Sequence, residues 1–347
     1  MKIHPVNMSP PSPRILISGA SGMLGTALQR ALAARDLPVL QLVRPSPPKR
    51  HRWFEASTSV DTQTRQSGDA SSDRLRSVAL AISGQFSWNP AATPPIAHPE
   101  VLEGFGAAIH LSGASVAAHR WTPAYRREIT LSRVQSTRAL STALASLSHP
   151  PQVLLVASAT GFYGNRGDEL LDEASAPGSG FLADLCQEWE AAAQPAADAG
   201  IRVVPLRLGV VLGPGAGALA RLLQMFRLGL GGRLGSGRQW MSWISLADAV
   251  AAILFTIDTP GLEGPINLTA PHPVSNAEFT RVLARALHRP AILPAPAFAL
   301  RLALGAMADE ALLASARVFP SRLTSAGFRF THPTVDEALA AALAAPQ

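Results

Sequence analysis

Gly19, Gly22 and Gly25, in the run Gly19-Ala20-Ser21-Gly22-Met23-Leu24-Gly25, carry the plainest chemical signal in this sequence. They directly follow the apolar run Arg14-Ile15-Leu16-Ile17-Ser18. They directly precede a segment with apolar residues at helical spacing: Met23, Leu24, Ala27, Leu28, Ala31 and Leu32. A strand that turns through glycines into a helix N-terminus is a phosphate cradle, because the helix start offers unpaired N–H donors and partial positive charge. Gly19 permits the tight turn, Gly22 lets the backbone approach a pyrophosphate, and Gly25 lets the helix pack against the sheet. The expected ligand is a dinucleotide. The second apolar run, Val39 to Val43, ends in Arg44, where an acidic residue would hydrogen-bond the ribose hydroxyls of NAD. Arginine pairs with a 2′-phosphate instead, and Lys49, Arg50 and Arg52 add positive charge nearby. The expected cofactor is therefore NADP(H). The plainer reading of Arg44 is a solvated strand end.

A second group of chemical residues follows the apolar run Val153 to Ala157. Ser158 and Thr160 could hydrogen-bond a carbonyl substrate, and Tyr163 could move a proton or stack beside a nicotinamide. These three are the catalytic candidates, set against plain packing. His119, Arg120 and Trp121 follow Leu111-Ser112-Gly113 on a loop. Arg227, Arg233 and Arg238 sit around the glycine-rich stretch from Gly229 to Gly237 and suit an anionic ligand or a structural loop equally. Arg207 reads as a buried structural charge, and Trp240 and Trp243 as packing. The lone cysteine, Cys186, excludes an intramolecular disulfide and reads as core on an apolar helix. No Cys/His set has metal-ligand spacing, so no metal is expected.

These residues must be positioned by a regular framework. The 347 residues are 47% hydrophobic, enough for a sizeable core. Strand-like runs at Ala107 to Leu111, Val153 to Ala157 and Val203 to Leu208 alternate with helical stretches at Pro123 to Ser146, Phe181 to Ala199, Leu219 to Leu228 and Leu246 to Ile257. Such alternation predicts an α/β fold with a doubly wound parallel sheet. Residues 1–13 read as an extension, 14–215 as the nucleotide-binding domain, and about 48–82 as a flexible insertion. Residues 216–347 read as a substrate lobe with a small C-terminal subdomain, of which 240–270 return to the first domain. The net charge of +6 comes from scattered arginines with few aromatics between them, so no nucleic-acid partner is expected. No signal peptide or membrane-length apolar run is present, which predicts a cytoplasmic protein without a membrane partner. A small-molecule substrate is expected, and a homodimer stays open.

With the turn, Leu111-Ser112-Gly113, Arg120-Trp121-Thr122, Ser132-Arg133-Val134, Ser158 to Gly164, Trp189-Glu190 and Arg207 to Gly213 in view, the chain resembles the extended short-chain dehydrogenase/reductases. It is most similar to their atypical branch of epimerase family proteins. Phe226 to Gly232, Gly235 to Gln239, Trp243-Ile244 with Asp248, and Arg317 to Phe328 extend the resemblance over nearly the whole chain. It implies a Rossmann-like sheet with a smaller C-terminal substrate lobe. It also implies cofactor contacts at Gly19, Ser21, Gly22, Met23, Leu24 and Gly25, at Val43 and Arg44, and at Leu111, Ser112 and Gly113. Glu128, Arg133 and Leu212 complete that set, with a solvated helix face as the plainer reading of Glu128 and Arg133. Typical members use Tyr-x-x-x-Lys for the proton that accompanies hydride transfer. Here Leu182 and Cys186 occupy those slots, Ala159 the usual Ser/Thr slot, and about Met241 the arginine slot of nucleotide-sugar epimerases. The resemblance thus implies an NADP(H)-dependent oxidoreductase without the Tyr-Lys pair, rather than a nucleotide-sugar epimerase. The alternative is a non-catalytic NADP(H)-binding regulatory or redox-sensing module, which some relatives' cell-division label would suit.

Overall fold

Strands β1 (Ile15–Ser18), β4 (Ala107–His110) and β5 (Val153–Ala159) are mostly apolar and buried almost end to end, as strands covered on both faces are. With β2 (Val39–Val43), β3 (Gly84–Ser87), β6 (Arg202–Leu208) and β9 (Ile266–Leu268) they form one sheet of order β9-β6-β5-β4-β1-β2-β3. Every pairing in it is parallel. The structure is a computed structural model that describes residues 14–44, 84–215 and 217–344. The extension at 1–13, the insertion expected at 48–82, and Lys49, Arg50 and Arg52 lie outside the described residues.

Alternation along the strands sends side chains to two cores. Ile15 and Ile17 pack with Leu28 and Leu32 of α1 (Met23–Ala33) and Ile253 of α6 (Leu246–Asp258). Leu16 and Leu40 face the other way, toward Leu140 and Leu144 of α2 (Pro123–Ala145) and Trp189 of α3 (Phe181–Ala191). The winding direction reverses between β1 and β4. A crevice opens there beyond the carboxyl ends of the strands, where ligands bind in such sheets.

The helix expected from Phe181 to Ala199 is broken. α3 stops at Ala191 and α4 spans Gln194–Asp198. Pro195 lacks the N–H that a continuous helix would need there. Strand β3 is absent from the strand-like runs that the sequence suggests. Its sequence, Gly84-Gln85-Phe86-Ser87, has a single apolar side chain, yet it leads to Trp88, which is 2% exposed.

Beyond β6, the short strands β7 (Val210–Leu212) and β8 (Trp243–Ser245) pair in parallel. They carry a third core shared by α5 (Gly217–Arg227), α7 (Asn276–Ala286) and α10 (Val335–Ala344). Asp248, fully buried, accepts from the backbone N–H of Thr331 at 2.7 Å and of His332 at 2.9 Å, tying the C-terminal segment to α6. Helix α8 (Ala297–Leu304) buries none of its residues, and α9 (Ser321–Ser325) follows it. Among the described residues no helix is long and apolar enough to cross a membrane.

Candidate cofactor site

The glycine turn is held by contacts that leave no room for a side chain. Gly19 adopts a φ of +83°, and a Cβ there would stand 2.6 Å from the carbonyl carbon of Leu111. One on Gly25 would stand 2.4 Å from the Gly19 carbonyl oxygen. The turn thus lies directly on the Leu111-Ser112 segment. The Leu111 N–H donates to the Ser18 carbonyl at 2.8 Å, and the hydroxyls of Ser18 and Ser112 meet at 2.6 Å. Gly22 is the extended N-cap of α1, whose first turn has no acidic residue and no side-chain cap. The N–H groups of Met23, Leu24 and Gly25 precede the first intrahelical bond and have no helical acceptor. Ser21 and Gly22 are exposed beside them. An anion fits this cradle, since it needs backbone proximity, donors and an uncompensated helix dipole.

On the far side of the crevice, Arg44 follows Val43, the last residue of β2, and opens into a cleft of about 380 Å³. Its walls include Asn89 after β3 and Arg127, Glu128, Leu131 and Gln135 on α2. Behind Ser136, His110 is fully buried and lies 3.0 Å from the Ser136 hydroxyl through Nε2. That hydroxyl donates to the Ser132 carbonyl at 2.7 Å, so Nε2 must be the donor and Nδ1 carries a bare lone pair. Burial first, and then the Arg44 charge, push the imidazole pKa down to about 3.

Glu128 and Arg133 share α2 but face different places. Glu128 is exposed in the cleft with Arg44. Arg133 lies beneath Gly113, its guanidinium carbon 3.1 Å from where a Gly113 Cβ would stand. It donates to the Ile129 carbonyl at 3.2 Å and sits 5.0 Å from the ring centre of Trp189. Burial holds its pKa below the usual arginine value.

The strand-end hydroxyls divide. Ser158, 2% exposed, donates to Glu190 Oε1 at 2.7 Å. Glu190 in turn accepts from Nε and Nη2 of Arg207, both at 2.9 Å. Tyr163, fully buried, donates to Asn267 Oδ1 at 2.6 Å and accepts from Arg207 Nη1 at 3.1 Å. Strand register explains the convergence, since Ser158 pairs with Arg207 and Arg207 with Asn267 across β5, β6 and β9. Ser158 and Tyr163, expected to face substrate, are instead members of a sealed network around a buried ion pair. Burial raises the Tyr163 pKa, so the phenol stays neutral. Thr160 is half-buried, and its hydroxyl has no partner among the described residues. Leu182 packs 3.3 Å from where a Gly161 Cβ would stand, with Cys186 Sγ at 3.8 Å. Cys186 points at the Ala159 carbonyl, and burial pushes its thiol up to about 11.

Leu212 is 1% exposed and packs with Leu219, Leu223, Phe226 and Trp243 in the third core, and with Ala27 of α1 it lines a second cleft. The Met23 sulfur, 2.9 Å from where a Gly213 Cβ would stand, covers that strand end from the turn side. The sequence reading overlooked Asn89, Arg127, Leu131 and Gln135. Asn89 follows the strand that composition did not reveal. The α2 residues fall with Ala124 and Glu128 on one helical stripe, a spacing that Glu128 alone could have exposed.

A parallel sheet with this strand order and a glycine turn at its reversal point defines a Rossmann-like dinucleotide-binding protein. Comparison with known proteins agrees. The model of the NAD dependent epimerase/dehydratase family matches residues 15–268, and that of a domain of unknown function, DUF1731, matches 295–342. An epimerase family protein of Mycobacterium bovis is 42% identical over 332 residues, covering 96% of this chain and 98% of that protein. The crystal structure of a human epimerase family protein, SDR39U1, with NADPH superposes with a TM-score of 0.77 at 28% identity, covering 95% of this chain and 98% of that one. A nucleoside-diphosphate sugar epimerase from Corynebacterium glutamicum has a TM-score of 0.70 at 32% identity, with 96% of this chain and 58% of that one covered. The chain belongs to the NAD dependent epimerase/dehydratase family, in its branch of epimerase family proteins, which are atypical short-chain dehydrogenase/reductases.

Proposed function

We propose that this protein is an NADP(H)-dependent oxidoreductase acting on a small carbonyl-bearing or anionic substrate without a Tyr-Lys pair. The observation that carries the reading is the pairing of an uncapped, glycine-lined helix start with Arg44, which opens into the adjoining cleft at the strand end. A human relative crystallised with NADPH supports the choice of cofactor. Bound NADP(H) would supply hydride exchange at its nicotinamide. The turn would hold the pyrophosphate, Arg44 the 2′-phosphate, and Leu111, Ser112 and Gly113 the connecting ribose. Glu128 and Arg133 would bound the same ligand from α2. Thr160 is the hydroxyl best placed to hydrogen-bond a substrate oxygen, because those of Ser158 and Tyr163 are committed inside the protein. Leu182 and Cys186 pack beside the neighbouring Gly161; leucine has no proton to exchange, and burial keeps the Cys186 thiol protonated at neutral pH.

The test is a fluorescence titration with NADPH and NADH, followed by an absorbance screen of a carbonyl panel. Tighter NADPH binding is expected, together with substrate-dependent oxidation that Thr160→Val slows. Equal affinity for the two cofactors would overturn the NADP(H) reading. A second reading, a non-catalytic NADP(H)-binding module, draws on the sealing of Ser158 and Tyr163. It predicts NADPH binding with no turnover on any panel member and a partner captured in one cofactor redox state.

A further inference from the structure

We infer that Arg127 is a second cation of the 2′-phosphate site and sets cofactor specificity jointly with Arg44. The inference rests on the NADP(H) reading above. Ala124, Arg127, Glu128, Leu131 and Gln135 recur at helical spacing on α2 and form one wall of the cleft of about 380 Å³. Arg44, directly after β2, and Asn89, shortly after β3, line the same cleft. Arg127 and Arg44 are exposed, and neither forms an ion pair with the described residues. The neighbouring arginines are occupied differently. Arg126 turns to the other side of α2, its guanidinium 5.1 Å from the ring centre of Phe181, and Arg133 is half-buried beneath Gly113.

Asn89 is itself held in place. Its backbone N–H donates to Pro95 at 2.9 Å, and its Oδ1 accepts from the Ala91 N–H at 3.1 Å, which leaves Nδ2 as a donor to a ligand. Glu128 shares the helix stripe and brings one negative charge to the cleft. Arg44 alone would therefore leave the cleft with no excess positive charge, since one cation balances one carboxylate. Arg127 restores that excess, and a phosphate dianion needs it, because a phosphate close to an unbalanced carboxylate is repelled. Two planar guanidiniums lining one cleft also suit a phosphate, whose three oxygens can accept charge-assisted hydrogen bonds from more than one donor.

The experiment measures the affinity of NADPH, NADH and 2′,5′-ADP for wild type and for Arg127→Gln, Arg127→Lys and Arg44→Gln. Arg127→Gln is expected to weaken NADPH and 2′,5′-ADP by roughly 10-fold and to leave NADH unchanged, the loss of one charge-assisted contact. Arg127→Lys should keep most of the affinity because it keeps the charge. Unchanged NADH binding also shows that the variant folds. If Arg44→Gln lowers the NADPH/NADH ratio and Arg127→Gln does not, this inference fails and the NADP(H) reading stands. If wild type itself shows no NADPH preference, both fail together.

Discussion

Tyr163→Phe separates a structural tyrosine from a catalytic one. Among the described residues the phenol oxygen alone donates to Asn267 Oδ1, at 2.6 Å, and it accepts from Arg207 Nη1 at 3.1 Å. Removing it leaves a fully buried amide oxygen without its donor. It also leaves one arm of a buried guanidinium with only the Glu173 carbonyl, at 3.5 Å. An unsatisfied buried polar group costs about 1–3 kcal/mol, and more when the partner is charged. The phenylalanine ring itself fits the same space, so no cavity cost is added. The expected loss is about 2–4 kcal/mol, which for a chain of this size lowers the melting temperature by roughly 3–6 °C. Urea unfolding followed by circular dichroism measures the first quantity and calorimetry the second. NADPH affinity should not move, since no described contact links the phenol to the glycine turn. The pH arm has a definite sign. Burial raises the Tyr163 pKa, so its neutral form stabilises the fold below the ordinary tyrosine value of about 10, and that contribution fades as pH climbs through the raised value. The wild-type advantage over the variant should therefore shrink at alkaline pH. A variant as stable as wild type, within about 0.5 kcal/mol, would refute the network as the role of this residue.

Three further outcomes follow from the same geometry. Glu190→Ala removes the carboxylate that pairs a nearly buried Arg207, and is expected to cost about 3–5 kcal/mol in denaturant unfolding; a double change to Glu190→Leu and Arg207→Met should recover most of it, and no recovery would argue that Ser158 and Tyr163 need the charge itself. His110, pushed down to about 3 from its ordinary 6.5, contributes stability at neutral pH that is lost as pH falls below 6.5; between pH 6.5 and pH 5 the loss is about 2 kcal/mol, and His110→Asn should flatten that slope in pH-dependent unfolding. Cys186, raised to about 11 and buried, should resist iodoacetamide in the native protein at pH 8 and react on unfolding; rapid stoichiometric labelling of the folded chain, seen by mass spectrometry, would contradict its placement.

Local order settled the glycine turn. Gly19, Gly22 and Gly25 stand between an apolar run and a helical one, and their use depends on neighbours within a few residues along the chain. The parallel sheet was legible too, because alternating apolar runs and amphipathic helices admit few other arrangements. The strand Gly84–Ser87 escaped because its stability comes from pairing with β2 and from Trp88 beneath the sheet, and its own four residues carry little hydrophobic signal. Ser158, Tyr163 and Leu212 show the other limit. Each sits at or just past a strand end, where chain position predicts a ligand. Which way such a side chain faces, and what it meets, depends on residues far away in sequence: Glu190 and Arg207 for Ser158, Asn267 for Tyr163, and the α5 core for Leu212. Sequence alone determined that this chain builds a glycine turn between its first strand and first helix, with a basic residue at the end of its second strand. Only the tertiary structure decided which hydroxyls are open to a substrate, because burial and hydrogen-bond satisfaction are properties of the packed assembly and are written at no single position of the chain.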